Sequence, residues 1–160
     1  IQPTLKGILA GFILLGVFQI SNFSESVGLG SEFLLRPFSN EFVASDFAPT
    51  KLFATALSLG LGFKGGEATP LFLIGSHAAA SLSTIIDFPV PLLAAIGFTS
   101  LYCGLAKTPI TGMLLGCELF GPQAWFCYLF ATLLVVYFSG KEGLFKVQPW
   151  SNYLPKPPYR

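Results

Sequence analysis

Gly62-Phe63-Lys64-Gly65-Gly66-Glu67-Ala68-Thr69-Pro70-Leu71-Phe72 interrupts an otherwise apolar part of the chain. Two adjacent glycines allow a sharp reversal, and Pro70 presets the first turn of a following helix, where its missing N–H costs nothing. The amides at the start of such a helix have no partner within it. In hydrocarbon each unsatisfied amide is costly, so a broken helix is tolerated only where something fills the gap. An anion can fill it, because a helix N-terminus carries about half a positive charge. Discontinuous helices that aim their N-termini at an anion near the membrane midplane are a known transporter device. Glu67 stands at this break. It is either an acid that satisfies the orphan amides and does nothing more, or a group that competes with a permeating anion or relays a proton. Thr69 has the same two readings, a helix cap or a hydroxyl turned toward a site.

The rest of the chain supports a bilayer setting. Of its 160 residues 52% are apolar and only 11% charged, where a soluble domain carries about 25%. Nine Lys and Arg stand against eight Asp and Glu, a net charge of +1, which leaves no basic face for nucleic acid. The 17 Phe exclude disorder, and three Cys do not make a disulfide scaffold. Charge-free runs cover Gly7–Ser24, Ala68–Ile86, Phe88–Ala106 and Leu119–Gly140, with lengths of 18, 19, 19 and 22 residues. A crossing helix needs about 20 apolar residues, so these runs are long enough. Leu52–Phe63 and Thr108–Cys117 are shorter and suit helices that stop part-way. The first apolar run has no basic flank or cleavage site of a signal peptide. Ile1 opens the sequence without Met, which suggests part of a longer chain.

Punctuation by Pro and Gly predicts helices over Pro3–Gln19, Ser31–Leu35, Thr50–Gly62, Pro70–Thr84, Pro91–Leu105, Pro109–Phe120 and Gln123–Phe138. The apolar runs are continuous and show no period of two, so no strand is expected. The fold class is an all-α membrane protein, a multi-helix bundle of short and broken helices. Gly7 with Gly11 and Gly112 with Gly116 have the four-residue spacing that lets helices approach closely.

Three segments in order, GFKGGEATPLFLIG at 62–75, AKTPITGMLLGCELFG at 106–121 and FSGKEGLFKVQ at 138–148, resemble the C-terminal half of the CLC chloride channel and transporter family. The likeness runs over most of Pro3–Gln148. It implies half of a CLC-type inverted-repeat fold, with residues 1–148 as the transmembrane part and 149–160 as a Pro-rich irregular tail. In that family a Gly-Gly-x-x-x-Pro segment opens a helix whose amides line the anion path, and a second Pro-initiated helix ends in an acid, here Glu118. Gly66, Glu67, Ala68 and Thr69 fall on the anion-path segment. Glu67 with Thr69 is most similar to the fluoride-exporting branch, whose members exchange fluoride for protons, and makes Glu67 the proton-coupling candidate. The last segment falls where the family usually brings a Tyr to the central anion site. Here that position is Phe145, without the hydroxyl. The family's first-half motifs, a Gly-Ser-Gly-Ile-Pro turn and a Gly-x-Glu-Gly segment, are absent from these 160 residues.

The resemblance implies a multi-pass protein of the plasma membrane that moves fluoride or chloride with protons, assembles as a homodimer, and is neither an enzyme nor dependent on a cofactor. A chloride channel, a chloride/proton exchanger and a non-conducting fragment are the alternatives. No spacing of His, Cys or acids points to a metal, and no nucleophile–base pair is visible. The remaining polar residues have ordinary expectations. His77 is expected in the interior, Lys107 at a cytoplasmic helix end, Glu142 in solvent, and Cys103, Cys117 and Cys127 as small buried thiols. Trp125, Trp150, Tyr153 and Tyr159 are expected as interfacial anchors.

Overall fold

Proline and glycine set the lengths of the helices, and the lengths set the architecture. The computed structural model describes residues 3–19, 28, 30–39, 46–63, 65–140 and 143–144. Seven helices follow one another in it: α1 (Pro3–Phe18), α2 (Ser31–Leu34), α3 (Phe47–Gly60), α4 (Ala68–Ser81), α5 (Val90–Leu105), α6 (Pro109–Phe120) and α7 (Trp125–Phe138). Short 3-10 turns at Arg36–Phe38, Leu82–Thr84 and Pro122–Ala124 complete the path. No strand occurs among the described residues. The tail 149–160, Lys64, Glu142, Phe145, Trp150, Tyr153 and Tyr159 lie outside the described residues.

The charge-free runs do not become single crossing helices. The longest described helices, α1 and α5, have 16 residues each, about 24 Å at 1.5 Å per residue. Among the described residues no helix is long and apolar enough to cross a membrane. The reason is local in each case. In Phe88–Ala106 the helix cannot start before Val90, because Pro89 is extended with ψ 119°. Leu119–Gly140 is cut at Gly121, whose φ is +99°, and again by the turn at Pro122. Helix α4 tightens into a 3-10 turn at Leu82, two residues before the predicted end. The bundle is therefore built of part-way helices.

Helix α5 is the hub, packing on α4, α6 and α7, while α3 packs on α4. Its crossing with α4 is the tightest. A Cβ built on Gly97 would lie 2.1 Å from the Gly75 carbonyl oxygen, and one on Gly75 would lie 2.2 Å from that of Gly97. The two backbones are in direct contact. On the other side of the hub, Gly104 faces Val135 of α7, with 2.4 Å from a built Cβ to Cγ1. The predicted Gly112–Gly116 pair does pack closely, Gly112 on Thr132 and Cys103, and Gly116 on the Tyr128 ring. The predicted Gly7–Gly11 pair does not: a Cβ on either would meet nothing within 4 Å. Gly7 and the neighbouring Ile8, Leu9, Phe12 and Ile13 are exposed on α1, so no described helix uses that face.

Buried hydroxyls at these crossings are satisfied within their own helices. Thr99 donates to the Ala95 carbonyl at 3.0 Å, Thr132 to Tyr128 at 2.7 Å and Ser76 to Leu73 at 3.0 Å. An aromatic group fills the space between α4, α5, α6 and the Arg36–Phe38 turn, with Phe98 against Phe72, Phe38 and Phe120. A second stack runs from the Arg36 guanidinium over Phe33, then Phe47, then His77. Large apolar side chains remain exposed on the outer faces of α6 and α7, among them Ile110, Leu114, Trp125, Phe126 and Phe130. A surface this apolar suits lipid better than water.

The glycine geometry separates two outcomes in a thermal-unfolding experiment in detergent. Gly97→Ala or Gly75→Ala forces backbone apart and should cost at least about 1–3 kcal/mol. Gly11→Ala, with open space around it, should be neutral or stabilise by up to about 1 kcal/mol.

Candidate functional site

The break between α3 and α4 begins with a well-made helix end. Gly62 adopts φ +92°, a conformation open to glycine at little cost. It lets its own N–H reach the Leu59 carbonyl at 2.9 Å and the Phe63 N–H reach Ser58 at 3.2 Å. These two bonds form the Schellman arrangement that closes a helix C-terminus. Gly65 and Gly66 follow, both exposed, and the chain turns into α4.

Helix α4 begins two residues earlier than expected. Pro70 was taken as its first residue, but Ala68 and Thr69 are already helical and Glu67 is the N-cap. Pro70 then sits in the first turn, where it still displaces no hydrogen bond. The first described helical bond here is Leu71 N–H to the Glu67 carbonyl at 3.3 Å. The Glu67 carboxylate does not cap the helix, and no other side chain does. Glu67, Ala68 and Thr69 are all half-buried. The structure thus brings Gly66, Glu67, Ala68 and Thr69 together as one uncapped helix start. The fifth predicted site residue, Phe145, lies outside the described residues.

A cavity of about 220 Å³ adjoins this start, lined by Gly65, Gly66 and Pro70 on one side and by Lys51, Thr55 and Ser58 of α3 on another. Thr55 and Ser58 turn their hydrogens back to the Lys51 and Ala54 carbonyls, both at 2.8 Å. Lys51 is 3% exposed, and its ammonium donates to the Gly28 carbonyl at 2.8 Å. The sequence reading passed over Lys51. The available signal was a lysine inside the apolar run Phe47–Gly62, where a charge needs a reason.

Other polar residues fall elsewhere. His77 is buried as expected, its Nδ1 3.0 Å from the Leu73 carbonyl and its ring 4.2 Å from Phe47. Glu118 is exposed at the end of α6. Trp125 is half exposed, in keeping with an interfacial place. Lys107 is not a solvated helix end. It is 7% exposed and bonded to the end of α7. Of the three thiols, Cys103 is fully buried while Cys117 and Cys127 are only half-buried. Among the described residues no cluster of His, Cys, Asp and Glu could hold a metal.

Short helices broken at Pro and Gly, apolar outer faces, and an uncapped helix start on an internal cavity define an α-helical membrane protein built from discontinuous helices. Residues 1–141 match the family described as voltage gated chloride channel, and the chain belongs to that family, whose members are integral membrane proteins. A chloride/fluoride channel protein of Pseudomonas syringae pv. tomato is 32% identical over 150 residues, 92% of this chain and 33% of that protein. The crystal structure of a CLC-type fluoride/proton antiporter superposes with a TM-score of 0.76 at 29% identity, over 82% of this chain and 33% of that one. The chain spans about a third of the length of these relatives.

Lys51→Met would leave the Gly28 carbonyl without its charged donor. The expected cost is about 1–3 kcal/mol, read as a lower unfolding midpoint in detergent.

Proposed function

We propose that this chain contributes the anion path of a fluoride/proton antiporter. The observation that carries the proposal is the uncapped start of α4: Glu67 stands at the N-cap without bonding the amides that follow it. Those amides remain able to receive a small anion, and a helix N-terminus favours one. Gly65 and Gly66 leave the approach open, since a Cβ on either would meet nothing within 4 Å. The cavity beside them gives a halide room, and the buried Lys51 adds positive charge to its wall. The fluoride/proton antiporter among the related structures supports fluoride as the ion.

In this reading Gly66, Ala68 and Thr69 shape the anion path, and Phe145 presents a ring edge where related proteins present a hydroxyl. Glu67 exchanges protons with the path. A carboxylate at the site of anion passage repels a halide while ionised and ceases to do so once protonated, which couples the two ions. The protein works as a homodimer in the plasma membrane, without a cofactor and without an enzymatic step. A chloride-conducting reading shares the same geometry and differs in its ion.

Efflux from liposomes holding the full-length protein distinguishes them. Fluoride should leave much faster than chloride, and equal rates would exclude the fluoride assignment. Glu67→Gln should abolish fluoride-driven proton movement while the protein stays folded; intact coupling would reduce Glu67 to a helix-terminal acid. Gly66→Val should keep stability within about 0.5 kcal/mol yet slow efflux, because its side chain enters open space.

A further inference from the structure

Helix α5 ends in the same hydrogen-bond pattern as α3, but with a lysine where α3 has a glycine. Lys107 N–H reaches the Gly104 carbonyl at 3.2 Å, and Thr108 N–H reaches Cys103 at 2.8 Å. This is again the Schellman arrangement, whose turning residue is usually Gly. Lys107 occupies that place with φ +59°, the one positive φ of a non-glycine among the described residues. A side chain there costs on the order of 1 kcal/mol relative to glycine. Something in the fold must offset that cost, and the ammonium shows what does.

The Lys107 ammonium donates to the Val136 carbonyl at 3.2 Å, to the Gly140 carbonyl at 2.7 Å and to the Ser139 hydroxyl oxygen. Three donors meet three acceptors. All three acceptors belong to the last turn of α7 or the two residues after it. The Ser139 hydroxyl in turn donates to Val136 at 3.3 Å. Carbonyls at a helix C-terminus carry partial negative charge, so a buried cation is held there without a carboxylate. A second tie lies on the same corner: Leu144 N–H donates to the Leu105 carbonyl, the last of α5, at 2.9 Å. The α5–α6 corner thus grips the segment after α7 at 139–140 and again at 144.

We propose that Lys107 is a positioning residue for halide selection. It pins the segment that leads directly into Phe145, and so fixes the ring the anion path uses. This rests on the antiporter reading above for the role of Phe145; the pin itself rests on the geometry just described. The turn makes a clean test possible. Lys107→Gly keeps, and even favours, the backbone turn while removing the ammonium, and Lys107→Arg keeps the charge.

Two measurements on the full-length protein decide it: hydrogen exchange of the Leu144 amide, and the ratio of fluoride to chloride efflux from liposomes. Lys107→Gly should lower protection at Leu144 by about tenfold or more and shift the halide ratio by about threefold or more. Lys107→Arg should retain most of both. If Lys107→Gly does not fold, Lys107→Asn takes its place, because Asn also tolerates this turn. A change in thermal stability alone, or a shift in only one of the two measurements, overturns the proposal. If the unsubstituted protein moves neither halide, the antiporter reading fails, and the exchange result still stands for or against the pin.

Discussion

Everything else in this bundle depends on how closely α4 and α5 approach. Gly75 and Gly97 place carbonyl oxygen against α-carbon across the crossing, with no room for a methyl group. In a membrane the contact cannot be driven by expelling water from apolar surface, since lipid tails are as apolar as leucine. Close backbone packing and dispersion provide the attraction instead. The crossing fixes α4 against the hub helix. The start of α4, seven residues before Gly75, is then fixed too, and with it the break that faces the cavity.

The short helices follow from the same setting. A continuous helix hides its amides from lipid and offers nothing to an ion. A helix that begins inside the protein exposes amides where water is scarce, at a cost the rest of the structure must offset. Here the offset is visible at both ends of the break. The C-terminus of α3 is closed by its own bonds through Gly62, while the N-terminus of α4 is left open. That asymmetry leaves one polar feature, a row of donors, facing the cavity. Among the described residues the acid beside them bonds none of them, so Glu67 does not fill the gap it borders.

Most helix boundaries were legible in the sequence because proline and glycine act locally. Pro109–Phe120 was read with both ends correct, and Val90–Leu105 within one residue. The start of α4 was misplaced because Pro is tolerated anywhere in a first turn, not only at its first residue. Close contacts were harder. The four-residue glycine pair in α6 was found, but the same pattern in α1 meets nothing, and the tightest contact joins single glycines on two different helices. Spacing within one helix cannot show which glycines meet across two. The anion-path segment was legible as a motif, whereas the cavity and Lys51 required the packing of α3 beside it.

The charges show the limit of composition most clearly. A scarcity of charged residues pointed to a bilayer, and the expectation was that those remaining would sit at solvated ends. Lys51 and Lys107 instead lie buried, each bonded to backbone oxygen. A lysine buried in this way is held by helix ends and turns, so its place depends on the fold and not on a partner residue that a sequence could reveal. Positive charge is thereby retained inside a chain that handles anions by resemblance, without carboxylates near Lys107 to cancel it. The carboxylate at the break, Glu67, is only half-buried and stands at the N-terminus of a helix, the end where a negative charge is favoured. The same dipole that would draw a halide to α4 therefore also stabilises the ionised form of Glu67. Halide and carboxylate compete for one field, and a proton on Glu67 is what would hand that field to the halide.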